Sequence, residues 1–270
     1  MIEPEAIELL LNKIAGRYGY DFSDYARASL QRRIDIFYTK SKQPSFAVMQ
    51  ERLMQDPIFF MNFVEQVTVN VTEMFRDASF YKTLREHILP VLATYPFIRI
   101  WHAGCSTGEE VYSMAILLKE ANLLHKSILY ATDINQEVLA KAKTGIFPIS
   151  TMQLNSENYI RSGGKEDFSI YYQANYNNAK FDESLSKKMI FSTHNLVADA
   201  SFNEFQLILC RNVLIYFNRD LQGKVLQLFD RSMDSLGFLA LGSKESLKFS
   251  PIAGHYKQVV FNEKVWRKNK

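Results

Sequence analysis

Apolar positions recur at helical spacing through the first 95 residues. Ala6, Leu9, Leu10 and Ile14 interleave with Lys13 and Arg17, and Gly16 and Gly19 flank the stop of this first helix. Ser23 is a candidate N-cap for a second helix from Asp24 to about Lys42, whose Leu30, Ile34 and Phe37 share one face. Pro44 breaks it. Ser45 opens a helix through Met54, and Pro57 opens another through about Val67. A longer helix is predicted from Asp77 to Tyr95, ended by Pro96. These elements define a helical domain over residues 1–76 and a linker helix over 77–96.

The pattern changes at Phe97. Strands are predicted at Phe97–Trp101, Ile128–Thr132, Phe205–Cys210 and Gly237–Leu241, with helices at Glu109–Ala121, Asn135–Lys143 and Asn218–Leu236 between them. Tyr256–Phe261 and Lys264–Arg267 read as terminal strands around Asn262-Glu263. Such alternation predicts an open α/β sheet over residues 97–270. A polar, Tyr/Asn-rich stretch at about 148–188 interrupts it and is too long for an ordinary connection. It is expected to be an inserted subdomain, with Phe168–Tyr172 and Met189–Phe191 as candidate strands.

Composition narrows the class. The 270 residues suit two domains, and 47% are apolar, so a disordered, collagen-like or disulfide-stapled chain is excluded. The net charge of +3 does not announce a nucleic-acid binder. Two widely separated cysteines, no apolar run of about 18 residues, and an acidic, amphipathic start that does not read as a secretory signal predict a soluble cytoplasmic protein. No internal repeat is visible.

Four constellations carry candidate chemistry. Gly104-Cys105-Ser106-Thr107-Gly108 joins a strand to a helix, where a backbone can approach a ligand closely; a tight turn explains the glycines equally well. It has neither dinucleotide nor P-loop spacing. Glu109 and Glu110 follow, readable as ordinary helix-start acids. Asp133 ends the next strand and suits either ribose hydroxyls or a helix N-cap. Thr68 to Asp77 packs hydroxyls, Asn70 and Arg76 into one linker; Arg76 has the fork geometry for a carboxylate, while a capped linker is the plainer reading. Arg211-Asn212 follows a central strand, and Tyr216 is either a substrate-orienting hydroxyl or a core aromatic.

The ordered motifs T-x-N-x-T-x-M-F-R-D, W-H-A-G-C-S-T-G-E-E-V-Y-S, A-T-D-I, H-N-L, C-R-N-V-L-I-Y-F and L-G-S-K-E-S closely resemble CheR-type chemotaxis methyltransferases over nearly the whole chain. These enzymes esterify glutamate side chains of chemoreceptors with S-adenosylmethionine (SAM), releasing S-adenosyl-L-homocysteine. The resemblance implies an all-α N-terminal domain and a class I, Rossmann-like SAM-binding sheet with a small inserted β-subdomain. Carried over by motif, Asn70, Thr72, Arg76 and Gly104 would contact the cofactor, with Glu109 at its amino end and Asp133 at its ribose. Asn195 and Leu196 would lie near the adenine, Arg211 and Asn212 near the methionine portion, and Tyr216 beside the transferred methyl. Met74, Val111 and Lys244 depart from the residues usual in the family, at positions given no cofactor contact.

Because a glutamate with a pKa of about 4.3 is already ionised at neutral pH, this reaction needs no strong base and no metal. Catalysis is then expected from alignment, with Tyr216 and Arg76 positioning the acceptor. Between Ala26 and Arg52 there are six basic residues against two acidic ones. A solvated face is the common explanation. The resemblance makes helix 24–42, through Arg32, Arg33 and Lys40, a docking surface for acidic receptor helices, without nucleic acid and without membrane insertion. The rival readings are a SAM enzyme acting on RNA or a small molecule, a SAM-sensing scaffold without turnover, and a nicotinamide-dependent oxidoreductase, the last disfavoured by the loop spacing.

Overall fold

The computed structural model describes residues 2–20, 22, 27–67, 72–260 and 262–269. The chain divides into two compact units, one of Met1–Val69 with Val213–Lys224, the other of Asn70–Asn212 with Val225–Lys270.

The first unit is helical: α1 (Pro4–Tyr18), α2 (Arg27–Ser41), α3 (Phe46–Gln55) and α4 (Pro57–Val67). The stop and start signals act as predicted. Gly19 takes the left-handed conformation after α1 (φ 76°), and its N–H donates to Ala15 O. Ser45 caps α3 by accepting the Val48 N–H, and Asp56 accepts the N–H groups of Ile58 and Phe59 at the start of α4. Leu30, Ile34 and Phe37 of α2 are buried as one face, while Arg32 and Lys40 are exposed. Ser23 and Asp24, the expected start of that helix, lie outside the described residues. The returning segment Val213–Lys224 joins this unit through an antiparallel bridge between Tyr20 and Phe217, whose rings meet edge to face at 5.4 Å.

The second unit opens with α5 (Ala78–Thr83), a π turn at Leu84–Ile88 and α6 (Leu89–Leu92). One continuous helix was expected here. The turns stay helical from Ala78 to Leu92, with a π bulge ahead of Pro90: it has no N–H to donate, and the ladder slips so that Leu89 N–H bonds Leu84 O. Next come β1 (Ile98–Ala103), α7 (Glu109–Glu120), β2 (Ser127–Asp133) and α8 (Gln136–Thr144). The insertion holds β3 (Ile146–Pro148), α9 (Met152–Arg161), β4 (Tyr172–Asn175), β5 (Asn178–Phe181) and α10 (Glu183–Ser186). The chain closes with β6 (Met189–Thr193), β7 (Phe205–Cys210), α11 (Arg219–Arg231), β8 (Met233–Leu241), β9 (Tyr256–Val260) and β10 (Val265–Lys268).

Seven strands form the main sheet in the order β6-β2-β1-β7-β8-β10-β9, and β3, β5 and β4 form a separate antiparallel sheet. β6, β2, β1, β7 and β8 are parallel, and β10 is antiparallel to both its neighbours. Every residue of β7 is buried, as a central parallel strand requires. The order reverses between β1 and β7, so a crevice opens beyond their carboxyl ends.

Three local expectations are corrected. Phe168–Tyr171 is a 3-10 turn rather than a strand; Asp167 accepts the Ser169 N–H, and the buried pair Phe168 and Tyr171 is spaced three apart. Met189–Phe191 belongs to the main sheet, paired with Leu129–Ala131 of β2, and not to the insertion. The helix expected to reach Leu236 ends at Arg231, because Met233 onward pairs with β7. Among the described residues, no helix is long and apolar enough to cross a membrane.

Candidate functional site

The loop after β1 turns tightly and packs closely against α8. Gly104, Ser106 and Gly108 all have positive φ (81°, 50° and 96°), and a Cβ on Gly108 would meet Ala142 Cβ at 2.9 Å. Gly104 and Cys105 donate their N–H groups to Thr132 O at 2.8 and 2.9 Å, which ties the loop to β2. Asp133 completes that tie, accepting the Ser106 N–H on Oδ2 at 2.8 Å and the Asn135 N–H on Oδ1 at 3.0 Å. Asn135, not Asp133, caps α8, accepting from Glu137 and Val138. Burial raises the Asp133 pKa against the lowering effect of its backbone hydrogen bonds.

At the start of α7, Glu109 accepts from the Thr107 hydroxyl at 2.6 Å, and burial raises its pKa. Glu110 has a different environment. His102 Nδ1 lies 2.8 Å from Glu110 Oε1, and Arg211 Nη1 lies 3.7 Å from Oε2. Burial alone would raise the Glu110 pKa, but His102 and Arg211 outweigh it and hold it below the usual carboxylate range. Arg211 also bonds Asp77 Oδ2 at 2.6 Å and Arg76 O at 3.3 Å, and its guanidinium sits 4.0 Å over the Phe80 ring. Glu110 is therefore a buried counter-charge, which its position at a helix start did not reveal.

Arg211 thus fastens the segment that carries Arg76. Phe75 and Asp77, on either side of Arg76, both have left-handed φ (54° and 59°). Thr72 is half-buried ahead of them, and Asn70 lies outside the described residues. Asn195 follows β6 in a compact turn: its N–H donates to Asp199 Oδ2 at 2.8 Å and its Oδ1 accepts from Val197 at 2.9 Å, with half-buried Leu196 between. His194 N–H donates to Asp133 O, which joins this turn to the end of β2. The Asn212 and Gly242 N–H groups both donate to Glu245 Oε2, at 3.1 and 2.6 Å. A Cβ on Gly242 would meet both Asn212 N and Glu245 Oε2 at 2.8 Å. Glu245, which the sequence reading left without a role, fastens the ends of β7 and β8 together.

The second unit therefore gathers Gly104, Glu109, Asp133, Asn195, Leu196, Arg211 and Asn212 in the turns beyond one end of the sheet, with Thr72 and Arg76 on the segment that Arg211 holds. Tyr216 lies in the 3-10 turn Leu214–Tyr216, within the segment that belongs to the helical unit. Three buried polar atoms in this region, Ser106 Oγ, His102 Nε2 and Arg211 Nε, have no hydrogen-bond partner among the described residues. The left-handed glycines, the Asp133 and Glu109 carboxylates and the unpaired Ser106 hydroxyl fit a nucleoside joined to an amino acid.

A model described as the SAM-binding domain of CheR methyltransferases matches residues 70–262, and one described as their all-alpha domain matches residues 5–68. A Pseudomonas putida protein that bears the name methyltransferase Cher3 is 46% identical over 97% of this chain and 96% of its own. A chemotaxis protein methyltransferase of Listeria innocua is 31% identical over 85% of both chains. One of Vibrio anguillarum is 35% identical over 68% of this chain and 67% of its own.

Proposed function

The chain belongs to the CheR methyltransferase family and carries its SAM-binding domain, and from that premise we propose that it transfers the SAM methyl group to glutamate side-chain carboxylates of chemoreceptors in the cytoplasm. The observation that carries the reading is the fixing of the Arg76 segment by Arg211, Asp77 and Glu110 within the SAM-binding unit. That arrangement supports a fixed position for the Arg76 segment beside the cofactor.

Bound SAM supplies a methyl group activated on a sulfonium. The chain's own residues bind and align. Asp133 keeps acceptor capacity beyond its backbone bonds and takes the ribose hydroxyls. Glu109, ionised, takes the amino group. From the family resemblance, Arg76 is assigned to contact the cofactor and to help position the acceptor carboxylate, and Tyr216 is assigned its orienting hydroxyl. The acceptor is ionised at neutral pH, so no base has to remove a proton. Alignment of this kind lowers barriers by about 7–11 kcal/mol in favourable systems.

The acceptor's chemistry gives the basic helix a purpose. Arg32 and Lys40 of α2 are exposed, and with Arg33 they complement a glutamate-bearing receptor helix. The reading is tested by incubating the protein with methyl-labelled SAM and membranes containing chemoreceptors. Base-labile label on the receptors supports it; label on RNA or on a small molecule instead overturns it.

A further inference from the structure

We propose that Asn155 and Asn158, on helix α9 of the inserted segment, are positioning residues for the SAM site: together they grip both backbone polar groups of Met74 and so hold Arg76 in place. Asn155 Oδ1 accepts the Met74 N–H at 3.1 Å, and Asn158 Nδ2 donates to Met74 O at 3.2 Å. Arg161 donates to Asn158 Oδ1, which turns the amide nitrogen of Asn158 toward Met74.

Asparagine is a poor choice for the buried face of a helix, because its amide competes with the helix backbone and loses water on burial. Yet Asn155 and Asn158 are 1% and 4% exposed, on one face with Met152 and Tyr159. Apolar residues there would fill the face but leave the N–H and O of buried Met74 without these partners. The two amides instead do for one residue what a neighbouring strand would do, pairing its donor and its acceptor at once.

The segment they grip needs external support. Phe75 and Asp77 hold left-handed backbone without being glycine, and such conformations persist only when the surroundings over-determine them. Side chains from three places supply that constraint. Alongside the α9 pair on Met74, Ser113 Oγ of α7 accepts the Phe75 N–H at 3.0 Å, and Arg211 holds Arg76 O. The α9 helix is itself anchored to α7, since the Tyr159 hydroxyl donates to Glu120 and the Tyr171 hydroxyl donates to the same carboxylate at 2.9 Å. Phe75 packs its ring against Tyr159 and Phe168, at 5.2 and 6.1 Å between centroids. The insertion thereby sets the conformation of the Arg76 segment.

The inference rests on the assignment of Arg76 to the SAM site made above, and the test separates the two. The full chain is prepared as wild type, Asn155→Leu, Asn158→Leu and Arg76→Ala, with the two asparagine changes also made in the Arg76→Ala background. SAM affinity is measured by calorimetry well below each variant's melting temperature, together with amide exchange at Met74. Each asparagine change is expected to weaken SAM about tenfold and to speed Met74 exchange. In the Arg76→Ala background its further effect on affinity is expected to fall below about twofold, because coupled residues are non-additive. If the leucine variants do not fold, Asn158→Asp keeps the size and the Arg161 partner while presenting an acceptor to Met74 O, and the same loss is expected. Wild-type affinity in the folded asparagine variants, or an equal loss with and without Arg76, overturns the proposal. An Arg76→Ala chain with unchanged affinity contradicts the Arg76 assignment instead, while Met74 exchange still decides whether α9 grips the segment.

Discussion

The Ser106 N–H donates to Asp133 Oδ2 at 2.8 Å, and the other oxygen of the same carboxylate accepts the Asn135 N–H. Asp133 therefore shapes the glycine loop, and in the proposed function it is also the acceptor for a ribose. Alanine in its place removes both roles. An Asp133→Ala chain should bind SAM at least about a hundredfold more weakly, roughly 2.7 kcal/mol, and Asp133→Asn, which keeps one acceptor oxygen, about tenfold more weakly. Calorimetry measures both, and an alanine variant within threefold of wild type would count against this double role.

Burial raises the pKa of both Glu109 and Asp133. A carboxylate with a raised folded pKa takes up its proton earlier as the pH falls. In the proposed function SAM needs both groups ionised, so its affinity should drop on acidification, with the loss setting in above pH 4.3, about the ordinary glutamate value. The ligand-free fold responds in the opposite sense to these two groups, since protonation relieves their desolvation. A Glu109→Gln chain should show weaker binding and a flatter pH profile, read from affinities measured across the neutral to mildly acidic range.

For Glu110 the sign reverses. Its burial is outweighed by His102 and Arg211, which hold the carboxyl in its charged form. A depressed folded pKa contributes stability above the unfolded value of about 4.3 that is lost as the pH falls through the folded one. Glu110→Gln leaves Arg211, whose side chain is 4% exposed, with Asp77 as its ion-pair partner. The expected cost is about 1–2 kcal/mol at neutral pH. Urea unfolding should show that difference at neutral pH and a much smaller one in acid.

Much of this architecture was legible from local signals. Ser45 and Pro57 start their helices where caps and fixed φ dictate, and the strand–helix alternation gave the fold class. Short apolar runs were only partly decidable locally: Phe168–Tyr172 fits a strand or a turn equally well, and Met189–Phe191 is the expected strand, but its sheet is known only from its pairing. Pro90 carried a local sign of the π bulge at Leu84–Ile88, and the helical periodicity around it masked that sign. The glycine loop and Asp133 stood out by type and position. The network around them did not, because Glu110, Asn155, Asn158 and Glu245 act on residues distant in the chain. A buried polar pair three positions apart on an otherwise apolar helix face was the one available hint of the α9 grip.

The basic face of α2 belongs to acceptor recognition in this account. Reversing Arg32, Arg33 and Lys40 to Glu should raise the KM for receptor about tenfold while leaving SAM affinity within about twofold. The penalty should shrink as salt is added, since exposed charges are screened over roughly 10 Å at 0.1 M. Initial rates at several salt concentrations measure this, and an unchanged KM at low salt would remove α2 from the docking surface.

The most direct test of the central claim is tandem mass spectrometry of chemoreceptors incubated with SAM and either the wild-type chain or Arg76→Ala. The account predicts methyl esters on glutamate side chains with wild type, and at least about a hundredfold fewer with the variant. Receptors that stay unmodified under wild-type enzyme, or that carry methyl groups on residues other than glutamate, would contradict it.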